Sequence, residues 1–388
     1  MATIYPLCLI KMIKVLFTIP NFDTAGSGKA LLHVAKRLDP DRFEVHIACM
    51  HAKGAFFKTV EQSGIPIHIL NFTTPMRPYL KGLKACYQIS KKLKEIGPDI
   101  IHSFHYAADY SEPLAAKMAG IKWVYTKKNM NWGGSSKNAW KLRSFLATAI
   151  AAQNTDMLEL FFKNSSKTVL IPRGVDVEAF KPRIKNKTLA NKWQIEPNQR
   201  ILMCVANLVP VKGIEILIQA FHRIHSQCPD WKLIIVGDHS NAYGQEIIAL
   251  ADKLDLKEKV LFCGKQNNIQ DYLSLAEVVV LPTLNKGRKE GSPVSLLEAM
   301  ACAKIVLGSN ISGIKDQLQV YPDYLVKAGC VKSWIQALLN QMSRTKVENE
   351  NLGIQFREYV LKEYTIEKEV FKTMELYLKS LGKEYEII

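Results

Sequence analysis

A chain of 388 residues is longer than the roughly 250 to 300 that one hydrophobic core ordinarily fills, so two domains are expected. Apolar residues at 48% against 23% charged exclude a disordered or fibrous chain. The net charge of +16 is unevenly held, with 24 Lys and Arg against 13 Asp and Glu in residues 1–180 but 28 against 23 in residues 181–388. The basic surface therefore lies in the N-terminal half and favours an anionic partner, whether phospholipid, lipid phosphate or nucleic acid.

The first dozen residues have a short apolar stretch without a basic leader or a small-residue cleavage site, which speaks against a signal peptide. Met12, opening a conventional strand, reads as an alternative start. Strands are predicted at Ile13–Ile19, Phe43–Ala48, Pro66–Leu70, Asp99–Ser103, Trp123–Thr126, Ala147–Ala152 and Thr168–Ile171. Between them, stretches such as KALLHVAKRL and GLKACYQISKKLKEIG repeat apolar residues at helical spacing. Strands alternating with helices of that length require crossover connections, hence a parallel sheet.

The Pro and Gly of IPRGVDVEAFKP, residues 171–182, interrupt the alternation. It restarts at Arg200–Ala206 and continues through Lys232–Val236, Val260–Phe262, Val278–Leu281 and Ile305–Leu307. The reading is α/β: two Rossmann-like, doubly wound domains, 1–182 and 183–388, facing a cleft. A polar helical segment, Val347–Leu381, closes the chain and is expected to pack back towards the N-terminal domain. Ligands of such sheets bind at the carboxyl ends of the strands. No apolar run approaches the roughly 18 residues of a membrane span. The eight cysteines are scattered without a Cys-x-x-Cys pair, several inside strands, and read as buried thiols of a reducing, cytoplasmic compartment.

The most informative stretch is KGRKEGSPVSLLEAMACA, residues 286–303. Ser292 suits a helix N-cap and Pro293 the first helical position, so a helix is predicted from there through Ala301, with Glu290 in the preceding loop and Glu298 in its second turn. The amino end of this helix, approached closely at Gly291, suits the negative charge of a diphosphate. Glu298 sits among Leu296, Leu297, Ala299 and Met300, so its carboxylate needs hydroxyl or amide donors, which a sugar or ribose would supply. Upstream, in VANLVPVKGIEILIQAF, a strand ends and Lys212-Gly213 opens a helix at the same end of the sheet, where a lysine can meet a phosphate as a point charge.

With IPRGVDVEAF, KLIIVGD, VLFCGKQNNIQDYLSLAEVVVLPT and EGSPVSLLEAMAC around it in order, residues 13–340 resemble glycosyltransferase family 4, of the GT-B fold. The resemblance implies a retaining, metal-independent transfer from a nucleotide-sugar, UDP- or GDP-linked. It implies that Lys212 neutralises the donor pyrophosphate, that Glu290 contacts the sugar, that Glu298 bonds the ribose, and that Gly237 and Gly264 shape loops beside the nucleotide. Gly213, Gly291 and Ser292 complete the donor side. Lys128 stands where many relatives have a histidine facing the sugar, and is placed with Glu290 and Lys212 in the catalytic set. Asn207 stands where the family has an arginine before the motif lysine; Arg288, Lys289 and Arg173 are candidates to replace that cation.

On the acceptor side, Gly26 matches the family's glycine-rich loop, His102 and His105 follow a strand, and Trp132, Gly133 and Gly134 form a nearby loop. DTAGSGK imitates a phosphate loop but lacks its glycine at Asp23 and its Ser or Thr at Ala30, and Leu31 occupies the third glycine of a dinucleotide fingerprint. No cofactor is expected, and no Asp-x-Asp or His cluster offers a metal site. The acceptor expected is a glycan or lipid-linked sugar, with an anionic membrane as a further partner. Nucleic acid is not expected, since no aromatic-basic module is present. The alternative is a catalytically impaired module that binds a nucleotide-sugar or a protein, motivated by Lys128 and Asn207.

Overall fold

The computed structural model describes residues 12–23, 25–132, 136–287 and 290–383. Cys8, Gly133, Gly134, Arg288 and Lys289 lie outside the described residues. Seven parallel strands form the first sheet: β1 Ile13–Thr18, β2 Phe43–Cys49, β3 Ile67–Ile69, β4 Ile100–Ser103, β5 Lys122–Lys127, β6 Ala149–Ala152 and β7 Thr168–Leu170, in the order β3-β2-β1-β4-β5-β6-β7. Six parallel strands form the second: β8 Arg200–Val205, β9 Trp231–Val236, β10 Val260–Phe262, β11 Val278–Leu281, β12 Ile305–Ser309 and β13 Leu325–Val326, in the order β10-β9-β8-β11-β12-β13. Both are Rossmann-like sheets, and their order reverses at β1/β4 and at β8/β11. Ligand crevices form at such reversals because the crossovers on either side depart to opposite faces.

The strands read as near-continuous β-branched runs because helices cover both sides of each sheet. In the second domain the helix Ile214–Ile224 buries Ile214, Leu217, Ile218 and Phe221, the i, i+3, i+4, i+7 stripe that its sequence displays. Two details differ from expectation. The two-residue β13 carries too little pattern to be read as a strand, and β6 begins at Ala149 because Ala147 ends the helix Lys137–Leu146.

The terminal segment is two helices, Lys346–Glu363 and Ile366–Ser380. Thr365 starts the second, its side chain accepting from the Lys368 amide. At that break the chain passes back to the first domain alongside the outgoing linker. The Val175 amide donates to the Tyr364 carbonyl at 2.8 Å and the Ile366 amide to the Val175 carbonyl at 2.9 Å. Gly174 is needed here, since a Cβ would lie 2.3 Å from the Thr365 carbonyl oxygen.

Beyond the crossing, Ile366, Val370, Met374, Tyr377 and Leu378 join Val15, Phe17, Ile47 and Ile100 in one face of the N-terminal core. Arg173 Nη1 meets Glu369 Oε1 at 2.6 Å, and Glu369 Oε2 accepts from the Gly174 amide at 2.7 Å. With side-chain exposures of 8% and 6%, neither ion has water as a substitute partner. Removing one member of a buried pair costs about 3 to 5 kcal/mol. Glu369→Ala should therefore lower the urea midpoint and make the helix Ile366–Ser380 cleavable in limited proteolysis. Glu369→Gln, which keeps an acceptor for Gly174, should lose less.

Candidate active site

A cleft of about 440 Å³ opens between the carboxyl ends of the two sheets. From the first domain it is lined by Gly26, Ser27 and Ala30 of the helix Ala25–Ala35 that follows β1, by Lys128 after β5, Gln153 after β6, and Arg173 of the linker. From the second come Ala206 and Asn207 after β8, Lys212, Gly237 and Asp238 after β9, Lys265 and Gln266, and the run Glu290–Ser295 with Glu298. The structure thus brings together Gly26, Lys128, Lys212, Gly237, Glu290, Gly291, Ser292 and Glu298 from separate elements.

Gly213 and Gly264 act from behind the lining. Gly213, in left-handed conformation at φ +63°, ends the short 3-10 turn Pro210–Lys212 and starts the helix Ile214–Ile224. A Cβ there would sit 2.4 Å from the Pro282 carbonyl oxygen, so glycine fixes where Lys212 stands. The Gly264 carbonyl accepts from the Gly237 amide at 3.0 Å, and a Cβ on Gly237 would lie 1.9 Å from the Ala206 carbonyl oxygen. The three loops that floor this side of the cleft are therefore packed backbone to backbone.

Lys212 Nζ is ion-paired with Glu290, and Thr283 Oγ1 also reaches Glu290 Oε1, at 3.5 Å. The cation expected at a phosphate is thereby held beside the carboxylate expected at the sugar. The helix that follows starts one residue later than predicted: it spans Val294–Ala301 with Pro293 at its N-cap. Ser292 does not cap it. The Ser292 hydroxyl instead takes the Gln317 amide at 3.1 Å, and Gln317 also bonds the Pro293 carbonyl.

The domains also touch at Gly291. A Cβ there would lie 2.2 Å from the Lys128 carbonyl oxygen, and the Gly291 carbonyl accepts from Asn154 Nδ2 at 2.7 Å. Glu298 is half-buried in the cleft wall and makes no side-chain hydrogen bond or ion pair with the described residues. Burial pushes its carboxyl up to about 7, against a smaller opposing pull from Lys29.

Lys128 donates to Ser27 Oγ at 3.2 Å and to the Phe104 carbonyl, and its ammonium lies 5.3 Å from the Phe104 ring centroid. It braces the β5 loop against the loop after β4 and the Gly26 helix. His102 does not line the cleft, which corrects its placement on the acceptor side. It is 2% exposed, with Nδ1 at 2.5 Å from Tyr377 Oη and Nε2 at 2.8 Å from Thr126 Oγ1. Its side chain points into the sheet face that the last helix covers, and burial pushes its pKa down to about 3, so it is neutral. His105 is likewise outside the lining, packed edge-on to Phe72 and pushed down to about 3 by burial and by Arg143 and Lys128.

Of the candidates to replace the missing arginine, Arg173 does reach the cleft but is held by Glu369. Gln153, Asp238, Lys265 and Gln266 were not singled out in the sequence. Each follows the carboxyl end of a strand, which is the signal that could have found them. Lys265 is the cation among them and makes no ion pair with the described residues. No three His, Cys, Asp or Glu side chains come together as a metal site among the described residues.

Residues 24–179 match the model of glycosyltransferase family 4, and residues 185–354 that of the glycosyl transferases group 1. The chain belongs to the family 4 glycosyltransferases of GT-B fold. It is 27% identical over 319 residues to the Escherichia coli UDP-Gal:alpha-D-GlcNAc-diphosphoundecaprenol alpha-1,3-galactosyltransferase, over 77% of this chain and 80% of that one. A Rickettsia africae glycosyltransferase superposes with a TM-score of 0.83 at 18% identity, covering 96% of this chain and 99% of the other. Anabaena HepE in complex with UDP and glucose does so with a TM-score of 0.76 at 18% identity, covering 94% and 98%.

The raised Glu298 pKa has a measurable sign. Below about pH 4.5 the carboxyl is neutral folded and unfolded; between there and about 7 only the unfolded chain ionises, so stability falls as pH rises, and above 7 the loss is constant. One unit is worth about 1.4 kcal/mol. Without donor, Glu298→Gln should match the parent near pH 4 and exceed it by on the order of 3 kcal/mol near pH 8 in urea titrations. A difference that does not change with pH would mean a solvated carboxylate.

Proposed function

We propose that the protein transfers a hexose or N-acetylhexosamine, with retention and without a metal ion, from a nucleotide-diphosphate sugar to a glycan or lipid-linked acceptor of the cell envelope. The observation that carries this reading is the convergence of Lys212, Glu290, Glu298 and the amino end of the helix Val294–Ala301 on one cleft. Breaking the bond from sugar to diphosphate develops negative charge on the leaving oxygen. Preorganised donors aimed at that charge lower the barrier most. Lys212 and the exposed amides of the helix end supply them, and Lys265 adds a second cation in place of the missing arginine.

Donor diphosphate would draw Lys212 from Glu290, freeing that carboxylate to accept from sugar hydroxyls. Glu298, which has no donor among the described residues, accepts from the ribose. Among the described residues no carboxylate of the first domain lines the cleft to act as a nucleophile, which supports attack from the face that the leaving group vacates. The E. coli relative's named donor is UDP-Gal and its named acceptor a diphosphoundecaprenol-linked sugar, which favours a UDP-sugar and a lipid-linked acceptor here. The impaired-module alternative draws on Lys128, whose ammonium braces neighbouring loops where relatives have a histidine.

Turnover separates the two. Donor hydrolysis or transfer should persist in EDTA, while Lys212→Ala and Glu298→Ala should each weaken donor binding by about 1.5 to 3 kcal/mol in calorimetric titration. Binding without any turnover would select the impaired module, and unchanged donor affinity in both folded variants would remove the assigned site.

No helix among the described residues is long and apolar enough to cross a membrane. Docking on an anionic surface is supported by the helix Tyr79–Ile96, which buries Gly82, Cys86, Ile89 and Leu93 and turns Tyr79, Leu83 and Tyr87 outward at fourfold spacing, with Leu80 beside them. Lys81, Lys84, Lys91, Lys92 and Lys94 flank this apolar stripe on the exposed side. Each lysine near an anionic leaflet contributes about 1 kcal/mol, screened by salt. Liposome sedimentation should rise with anionic lipid, fall with salt, and weaken when Lys84, Lys91, Lys92 and Lys94 are neutralised together. Equal recovery on neutral vesicles at low salt would mean a merely solvated face.

A further inference from the structure

The second domain has a pocket at each end of its sheet. The cleft lies at the carboxyl ends of the strands; a second pocket, of about 470 Å³, lies at the amino ends of β8, β11 and β12. It is lined by Arg200 at the start of β8, Glu277 just before β11 and Lys304 just before β12, with Lys185 from the linker and Lys346 and Glu350 from the first two turns of the helix Lys346–Glu363.

The charges there do not cancel. Glu277 is taken up by Arg200, which contacts both its oxygens, and by Asn349 Nδ2. Glu350 reaches Lys346 at 3.9 Å. Lys185 and Lys304 are both half-buried and make no side-chain hydrogen bond or ion pair with the described residues. Burial holds both ammonium groups below the usual lysine range; Lys346 repels both, and at Lys304 Cys302, Glu277 and Glu350 pull the other way without cancelling the effect of burial. Two half-buried cations in one cavity, neither in an ion pair with the described residues, is an unfavourable arrangement for the protein alone.

The backbone is built to keep Lys304 there. Ala303 holds a left-handed conformation at φ +56°, which is costly for a residue with a Cβ and is usually given to glycine at a helix end. That turn ends the helix Val294–Ala301 and directs the chain into β12 through Lys304. It is wedged in place by the helix Lys346–Glu363, whose Gly353 comes so near that a Cβ would lie 2.1 Å from the Ala303 carbonyl oxygen.

We propose that this pocket is a second anion site, distinct from the donor cleft, which takes a small phosphate-bearing molecule between Lys185, Lys304 and Lys346. The cavity is within the size range of small-ligand sites. A phosphate in it would supply the acceptors that both unpaired lysines lack, and the N-terminal turn of the helix Lys346–Glu363 adds the positive end of its dipole.

The test is calorimetric titration of the full chain with pyrophosphate and, separately, with glucose 1-phosphate. A binding event should survive Lys212→Ala, which alters only the cleft, and should weaken at least about tenfold in Lys185→Met/Lys304→Met. The double variant removes two buried unpaired charges, so without anion its melting temperature should equal or exceed that of the parent. Tighter binding of glucose 1-phosphate than of pyrophosphate would assign the site to a sugar phosphate, and the reverse order to an inorganic polyphosphate. Absence of any event that depends on Lys185 and Lys304 overturns the proposal, whether because neither anion binds or because binding follows Lys212 alone.

Discussion

The relative placement of the two domains rests on a double crossing of the chain. Residues 173–175 leave the first domain beside residues 364–366, which return to it, and the two passes are joined by backbone hydrogen bonds and the Arg173–Glu369 ion pair. A single linker would leave the domains free to swivel. Two strands of chain fastened side by side restrict that freedom, and the cleft between the sheets inherits whatever precision the fastening has. Arg173 belongs to the cleft lining as well, so the same side chain that holds the crossing also presents positive potential to the ligand space.

A second contact between the domains lies inside the cleft. Gly291 meets the Lys128 carbonyl at a distance that no side chain would permit, with Asn154 bonding its carbonyl and Gly313 packed behind it. The loop carrying Glu290 is thus braced from the first domain, and the residues expected to meet the sugar are positioned by both halves of the molecule. The electrostatics nearby are unsettled in the absence of a partner: Lys212 is spent on Glu290, and Glu298 resists ionisation. A ligand bringing a diphosphate and hydroxyl groups resolves both at once, which gives binding energy a specific physical source.

The twelve strands read from alternation alone fall within one or two residues of those observed, because each is a short apolar run bounded by turn residues, and most are buried on both faces, β3 and β7 being half-exposed. That Lys212, Glu290 and Glu298 meet at one cleft was legible for the same reason: they sit in local patterns whose spacing fixes their place on a turn or a helix. What the sequence could not reveal is long-range. His102 carries the same local signal as a cleft histidine, a strand end followed by a loop, and only the partner Tyr377, far away in the chain, shows that it faces the core. Ser292 looks like a helix cap until Gln317 claims its hydroxyl. Lys127, adjacent to Lys128, is buried with its ammonium 3.9 Å from the Trp140 ring centroid, an environment made by residues from other elements.

The return of the last helix to the first domain bears on how the protein is made. One face of the N-terminal core is finished by Ile366, Val370, Met374 and Tyr377, so a nascent chain that has delivered the whole first sheet still lacks part of the wall over it. Domains generally fold as units in order of synthesis, yet this one stays open until the second has been translated. During that interval Phe17, Ile47 and Ile100 lie on a sheet face that the helix Ala25–Ala35 covers only in part. The first half of the protein is thus the last to be completed, and the second domain folds while tethered to an unfinished neighbour.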